Sequence, residues 1–218
     1  MDIKLPWKEM DKHVGTLGTG LHVVLHSKIK GNWFFFDALA VPLVDTSENG
    51  TEFVFVRNPA DVRQGIDSAW DILVEDKIYP PGNIWTIADK KSLEEIIEAC
   101  EKAKNWGSSR AIFIDDIGKV VGEDGAPVQW DVAAAALKHM AVDLVLPVIV
   151  GIGSDCDMTG YRHMEMCANT IFRVGESRNF DCIKGYVACK ESAESEWHKK
   201  LLVEVIKNQS GALGRFKI

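Results

Sequence analysis

Apolar residues along the chain fall into two periods. Short β-branched and aromatic runs at residues 21–25 (LHVVL), 52–57 (EFVFVR), 84–88 (IWTIA), 111–116 (AIFIDD) and 147–152 (PVIVGI) alternate with longer stretches whose apolar positions recur every three or four residues. Runs this continuous suit strands covered on both faces, so the pattern predicts repeated βαβ units around a five-stranded parallel sheet. The strands at 21–25 and 111–116 are expected side by side at its centre.

A helix is expected from near Gly31 and another over residues 61–75, with the turn Pro80-Pro81-Gly82 before the third strand. At Ser92, Glu95 three residues on completes a capping box that opens the amphipathic stretch SLEEIIEACEKAKNW, and Gly107 closes it. An alanine-rich helix over 131–143 follows a polar loop. The C-terminal region changes character: short strands at 169–174, 185–190, 201–207 and 214–218, joined by turn-like connections, predict an antiparallel extension of the sheet. With no internal repeat and no low-complexity tract, residues 1–218 read as one α/β domain.

Composition narrows the function classes. At 218 residues and 46% hydrophobic, the chain can bury one substantial core. Its net charge of -7 repels phosphate backbones on average, which argues against non-specific nucleic-acid binding. The five cysteines are odd in number and irregularly spaced, and no charged-then-apolar leader opens the chain, so a reducing cytoplasm, bacterial or of an infected cell, is the expected compartment. The longest apolar stretches are interrupted by Asp37, Pro42, Lys138, His139 and Asp143, and a soluble protein is expected.

Five segments occur in a telling order: PWKEMDKHVGTLGTGLHVVLH, a tryptophan and short helix before a Gly-rich turn into a strand; AIFIDD; LKHMAVDLVLPVIVGI; ANTIFRV; and LLVEVIKNQSGALGRFKI. Together, from Pro6 to Ile218, they resemble the RecA-like P-loop ATPase core shared by bacterial replicative helicases, circadian-clock ATPases and phage recombinases. The resemblance implies a RecA-like parallel sheet flanked by helices with an antiparallel C-terminal extension. It also implies where nucleotide chemistry should lie.

A P-loop needs glycines so that backbone N–H groups can wrap phosphates, a lysine for their charge and a hydroxyl for Mg²⁺. The matching segment here is His26, Ser27, Lys28, Ile29, Lys30, Gly31, Asn32 and Trp33, in which Gly31 alone is kept: His26 replaces a glycine, Asn32 the lysine and Trp33 the hydroxyl. Asp115, with Asp116 after it, falls at the family's Walker B aspartate. Asn58 falls at its catalytic glutamate, where an amide cannot accept a proton. In the closing element Lys207 is kept, Gln209 stands where the family has a trans-acting arginine, and Gly211 and Gly214 bracket a tight turn. Four phosphoryl-transfer positions (Asn32, Trp33, Asn58, Gln209) thus depart in the inactive direction.

The segments matching the family's DNA-contacting loops, 118–130 and 153–168, mix Lys119, Arg162 and His163 with Glu123, Asp124, Asp155, Asp157 and Glu165, which makes no cationic channel. Cys156, His163 and Cys167, with Cys182 or Cys189, have zinc-ligand chemistry but no close CxxC pair, so no metal site is assigned. Trp70 on a helix and Trp85 in a strand read as core rather than as an exposed aromatic surface.

The reading is a degenerate, non-hydrolysing RecA-like protein, a pseudo-ATPase acting through protein contacts in phage, plasmid or bacterial DNA replication or recombination. Its expected partner is itself or an active RecA-like helicase, through Lys207, Gln209, Gly211 and Gly214, with nucleic acid reached weakly or through that partner. No cofactor is expected. Two alternatives stay open: an atypical ATPase in which Lys28 or Lys30 joins Asp115 to hold Mg-ATP, and a single-stranded DNA-binding accessory protein with tryptophans as stacking platforms.

Overall fold

The computed structural model describes residues 3–26, 33–45, 51–56, 59–73, 83–87, 92–106, 109–122, 124–153, 158–176, 201–209 and 213–217. Its strands are β1 (Gly20–His26), β2 (Thr51–Val56), β3 (Asn83–Thr86), β4 (Ala111–Ile114), β5 (Pro147–Gly153), β6 (Thr170–Glu176), β7 (Leu201–Asn208) and β8 (Gly214–Lys217). The helices are α1 (Lys8–Val14), α2 (Trp33–Ala38), α3 (Val41–Asp45), α4 (Pro59–Leu73), α5 (Leu93–Trp106), α6 (Trp130–Asp143) and α7 (Met158–Cys167).

All eight strands form one sheet in the order β3-β2-β4-β5-β1-β6-β7-β8. β3 through β6 in that order are mutually parallel, and the two remaining pairings, β6 with β7 and β7 with β8, are antiparallel, so that β7 alone runs against the others. The α/β class and the antiparallel C-terminal extension are as the sequence predicts. Two details differ. β5 lies between β1 and β4, which are therefore not neighbours. The strand predicted at 169–174 is a sixth parallel strand, because α7 carries the chain back across the sheet and returns it in the same direction as β1. The strand predicted at 185–190 lies outside the described residues.

Side chains alternate across the sheet with period two. Val24, Phe113, Ile149, Phe172, Val203 and Val205 pack under α1 to α4, while Val23, Ile112, Ile114, Val148, Val150 and Ile171 pack under α5 to α7. The helix expected near Gly31 is two short helices, since Pro42 lacks the N–H that a continuous helix would bond to Ala38. Aromatic rings fill the first layer: Trp7 stacks on Phe35 at 5.3 Å, Phe35 tilts against Phe172, and Phe36 meets Phe113 edge-on. In the second layer Leu93, Ile96, Cys100 and Ala103 make the buried stripe of α5.

The capping box at α5 forms as read: Glu95 N–H donates to Ser92 Oγ at 3.1 Å, and Ser92 N–H to Glu95 Oε2 at 3.3 Å. Ser92→Ala should lower stability by about 1 kcal/mol. In thermal unfolding this is a fall in Tm of about 2–4 °C, and an unchanged Tm would count against the box.

Candidate functional site at the carboxyl edge of the sheet

In an open parallel sheet, ligands bind outside the carboxyl ends of the strands, where successive connections leave in opposite directions. Here the chain leaves β1 through α2 on one face, and leaves β4 through α6 on the other. Registers set the heights at that edge. Ile114 is level with Val150, and Val150 with Val23, so Asp115 starts its loop at the height of Val24, two residues short of His26. With β5 between them, the backbones of β4 and β1 stand about 10 Å apart.

Asp115 is buried, 8% exposed. Asp116 faces its own turn: Gly118 N–H donates to its Oδ1 at 3.1 Å, and Lys119 Nζ stands 3.6 Å from its Oδ2. It caps the short 3-10 turn Ile117–Lys119. Because Lys119 is largely exposed, that pair holds the turn weakly, and the cap matters more.

His26 is the last residue of β1 and Trp33 the first of α2. Ser27, Lys28, Lys30, Gly31 and Asn32 lie outside the described residues, as does Asn58. Helix α2 has only six residues, and its Phe35 and Phe36 point into the core.

The segment after Asp116 folds back on its own chain. Leu93 N–H donates to Val121 O at 3.0 Å, Gly122 N–H to Ala126 O at 2.8 Å, and Ala126 N–H to Asp124 Oδ1 at 3.0 Å. It is a closed hairpin stapled to the start of α5. The second segment, read from sequence as a DNA-contacting loop, is helical over Met158–Cys167, where Met164 and Ala168 are buried. Among the described residues no group of three His, Cys, Asp or Glu is placed to hold a metal. Cys100 is buried in α5, and burial pushes its thiol up to about 12. Cys156, Cys182 and Cys189 lie outside the described residues.

The closing element lies at the opposite edge. Asn208 is level with Thr170, and Thr170 with His22, so the end of β7 is about 13 Å of strand below His26. Gln209 is exposed, and its Oε1 accepts from Asn169 Nδ2 at 2.9 Å. Lys207 is in β7 and Gly214 opens β8, while Gly211 lies outside the described residues.

This edge also holds side chains that the sequence pattern did not single out. Lys138 Nζ donates to Asn169 Oδ1, and so does Leu21 N–H. His22 is buried and its Nε2 lies 2.8 Å from Gly18 O; the carbonyl can only accept, so Nε2 carries the proton. Burial pushes its pKa down to about 4, the bond to Gly18 opposing and the charge of Lys138 adding to the fall. A polar residue inside the run LHVVL was the available signal.

No protein-family model matches the chain, and no curated protein matches it by sequence. Among the solved structures it resembles is a DnaB-like replicative helicase described with its interactions with primase. The two share 15% identity at a TM-score of 0.69, over 99% of this chain and 58% of that one. At that identity the likeness establishes the architecture, and the architecture is RecA-like.

Proposed function

We propose that this chain is a degenerate, non-hydrolysing RecA-like protein that acts through protein contacts in DNA replication or recombination of a phage, plasmid or bacterium. The reading is supported by the donors described at the carboxyl edge together with the residue types at the positions the resemblance assigns to phosphoryl transfer. Among the described residues of that edge, Asp116 is engaged by Gly118 and Lys119, and Asp115 is buried where the chain leaves β4. The helix that follows β1 is a six-residue element anchored by core phenylalanines. Mg-ATP fits this donor set poorly, and no catalytic step is assigned to it. Substitutions at Asn32, Trp33 and Asn58 point the same way.

Titration calorimetry with Mg-ATP and a non-hydrolysable analogue tests the reading. No binding heat and no phosphate release are expected. Turnover that Asp115→Asn abolishes would replace this reading with the atypical ATPase, in which Lys28 or Lys30 supplies the charge.

Assembly is the second half of the proposal. Asp115 follows β4 and Lys207 lies in β7, four strand spacings across the sheet or about 19 Å, so a contact of the closing element with Asp115 would be made between subunits. A head-to-tail contact with a second copy or an active relative would use both. DNA contact through residues 118–130 has little support, because that hairpin is closed on α5 and Lys119 stands against Asp116.

A further inference from the structure

We propose that the polar pair of the closing element, Asn208 and Gln209, is a clamp within its own chain, with Asn169 as its hub. The proposal rests on contacts inside one subunit and stands whether or not the domain assembles.

Asn169 sits between α7 and β6 and uses both ends of its backbone and of its side chain. Its N–H donates to Leu21 O at 2.7 Å, and its carbonyl accepts from Gln209 N–H at 3.0 Å. Its Oδ1 accepts from Leu21 N–H at 3.2 Å and from Lys138 Nζ, and its Nδ2 donates to Gln209 Oε1 at 2.9 Å. One residue thereby joins β1, α6 and the end of β7. On the other side of β7, Asn208 Nδ2 donates to Val14 O at 2.9 Å, at the end of α1. The close fit explains Gly20, which has φ +147 and whose added Cβ would lie 2.6 Å from Asn169 Cγ.

The chemistry selects glutamine at 209. Asn169 Oδ1 is occupied by Lys138 and Leu21, so Asn169 has only its amide N–H left to offer and needs an acceptor opposite. Glutamine supplies one, whereas arginine has five donors and no acceptor and would bring a second cation beside Lys138. Gln209 therefore fixes the end of β7 against Asn169 and, through it, against β1. Any contact of the hairpin with a neighbour then falls to Lys207 and the turn.

Amide hydrogen exchange on the full chain at low concentration tests this, reading the amides of Leu21, Asn169 and Gln209. Gln209→Ala and Gln209→Arg should each speed exchange there about fivefold, the loss of one net hydrogen bond. Gln209→Glu retains an acceptor for Asn169 Nδ2 and should exchange at the wild-type rate. After Asn169→Ala, adding Gln209→Ala should change nothing further. Wild-type exchange in Gln209→Arg, equal acceleration in Gln209→Ala and Gln209→Glu, or full additivity with Asn169→Ala would each overturn the clamp. A failure of assembly or a gain of ATP binding would leave these rates unchanged.

Discussion

Phe35→Ala should remove about 3–5 kcal/mol of stability, the range for deleting a fully buried aromatic ring. Phe35 is 0% exposed, lies parallel to Trp7 at 5.3 Å, and tilts at 59° against Phe172. It joins the lead-in to α1, the helix after β1, and β6, three elements far apart in the chain. Little can collapse into the space it leaves, because Trp7 and Phe172 are held from opposite sides by different elements. Since domains hold only about 5–15 kcal/mol in total, the variant should sit near the threshold of folding at room temperature. Urea denaturation at neutral pH would show the loss as a lower midpoint at similar slope. A loss under 1 kcal/mol would mean that the aromatic layer is not a unit.

The second large effect is acid sensitivity from His22. Its folded pKa is depressed to about 4 from 6.5, so between these values the unfolded chain takes up a proton that the native state refuses. Its contribution is therefore fully present above pH 6.5 and is lost as pH falls toward 4, by about 3 kcal/mol in all. His22→Gln keeps a donor for Gly18 O without a titrating group, and should flatten that part of the curve. Unfolding free energies measured in urea between pH 7 and 4.5 decide it: parallel curves for variant and wild type would exclude His22 as the source.

Much of the architecture was legible from local pattern. The buried runs at β1, β4 and β5 and the capping box at Ser92 and Glu95 stand where the sequence puts them, because each depends on residues close in the chain. Sheet order does not. The stretches 111–114 and 147–152 are alike in being buried on both faces, and nothing local says which of them lies beside 21–25.

The direction of β6 failed for a traceable reason. The resemblance makes residues 153–168 a loop, and a loop there offers no crossover helix, the usual route to a parallel return. Met164 in the helix and Ala168 just after it, four apart and fully buried, carry the helical spacing, which the exposed Met166 obscures. At the site, Asp115 could be placed from its position after an apolar strand. The local engagement of Asp116, the closed hairpin after it, and the hub at Asn169 could not, because each depends on hydrogen bonds whose partners sequence spacing does not name.

The place of β1 in the sheet has a consequence for how the chain reaches its native state. Both neighbours of this early strand are late ones: Gly20 pairs with Pro147, and His22 with Thr170. At about 5–20 residues per second of synthesis, the apolar segment waits roughly 6–25 s for the first of them to be made. Throughout that interval it is an apolar nascent strand with both edges open; β2, β3 and β4 can pair among themselves meanwhile, but β1 joins them only by closing a very long loop. Incorporation of β1 into the sheet should therefore be a late step, and a chaperone holding the N-terminal portion until then should raise the yield of folded protein.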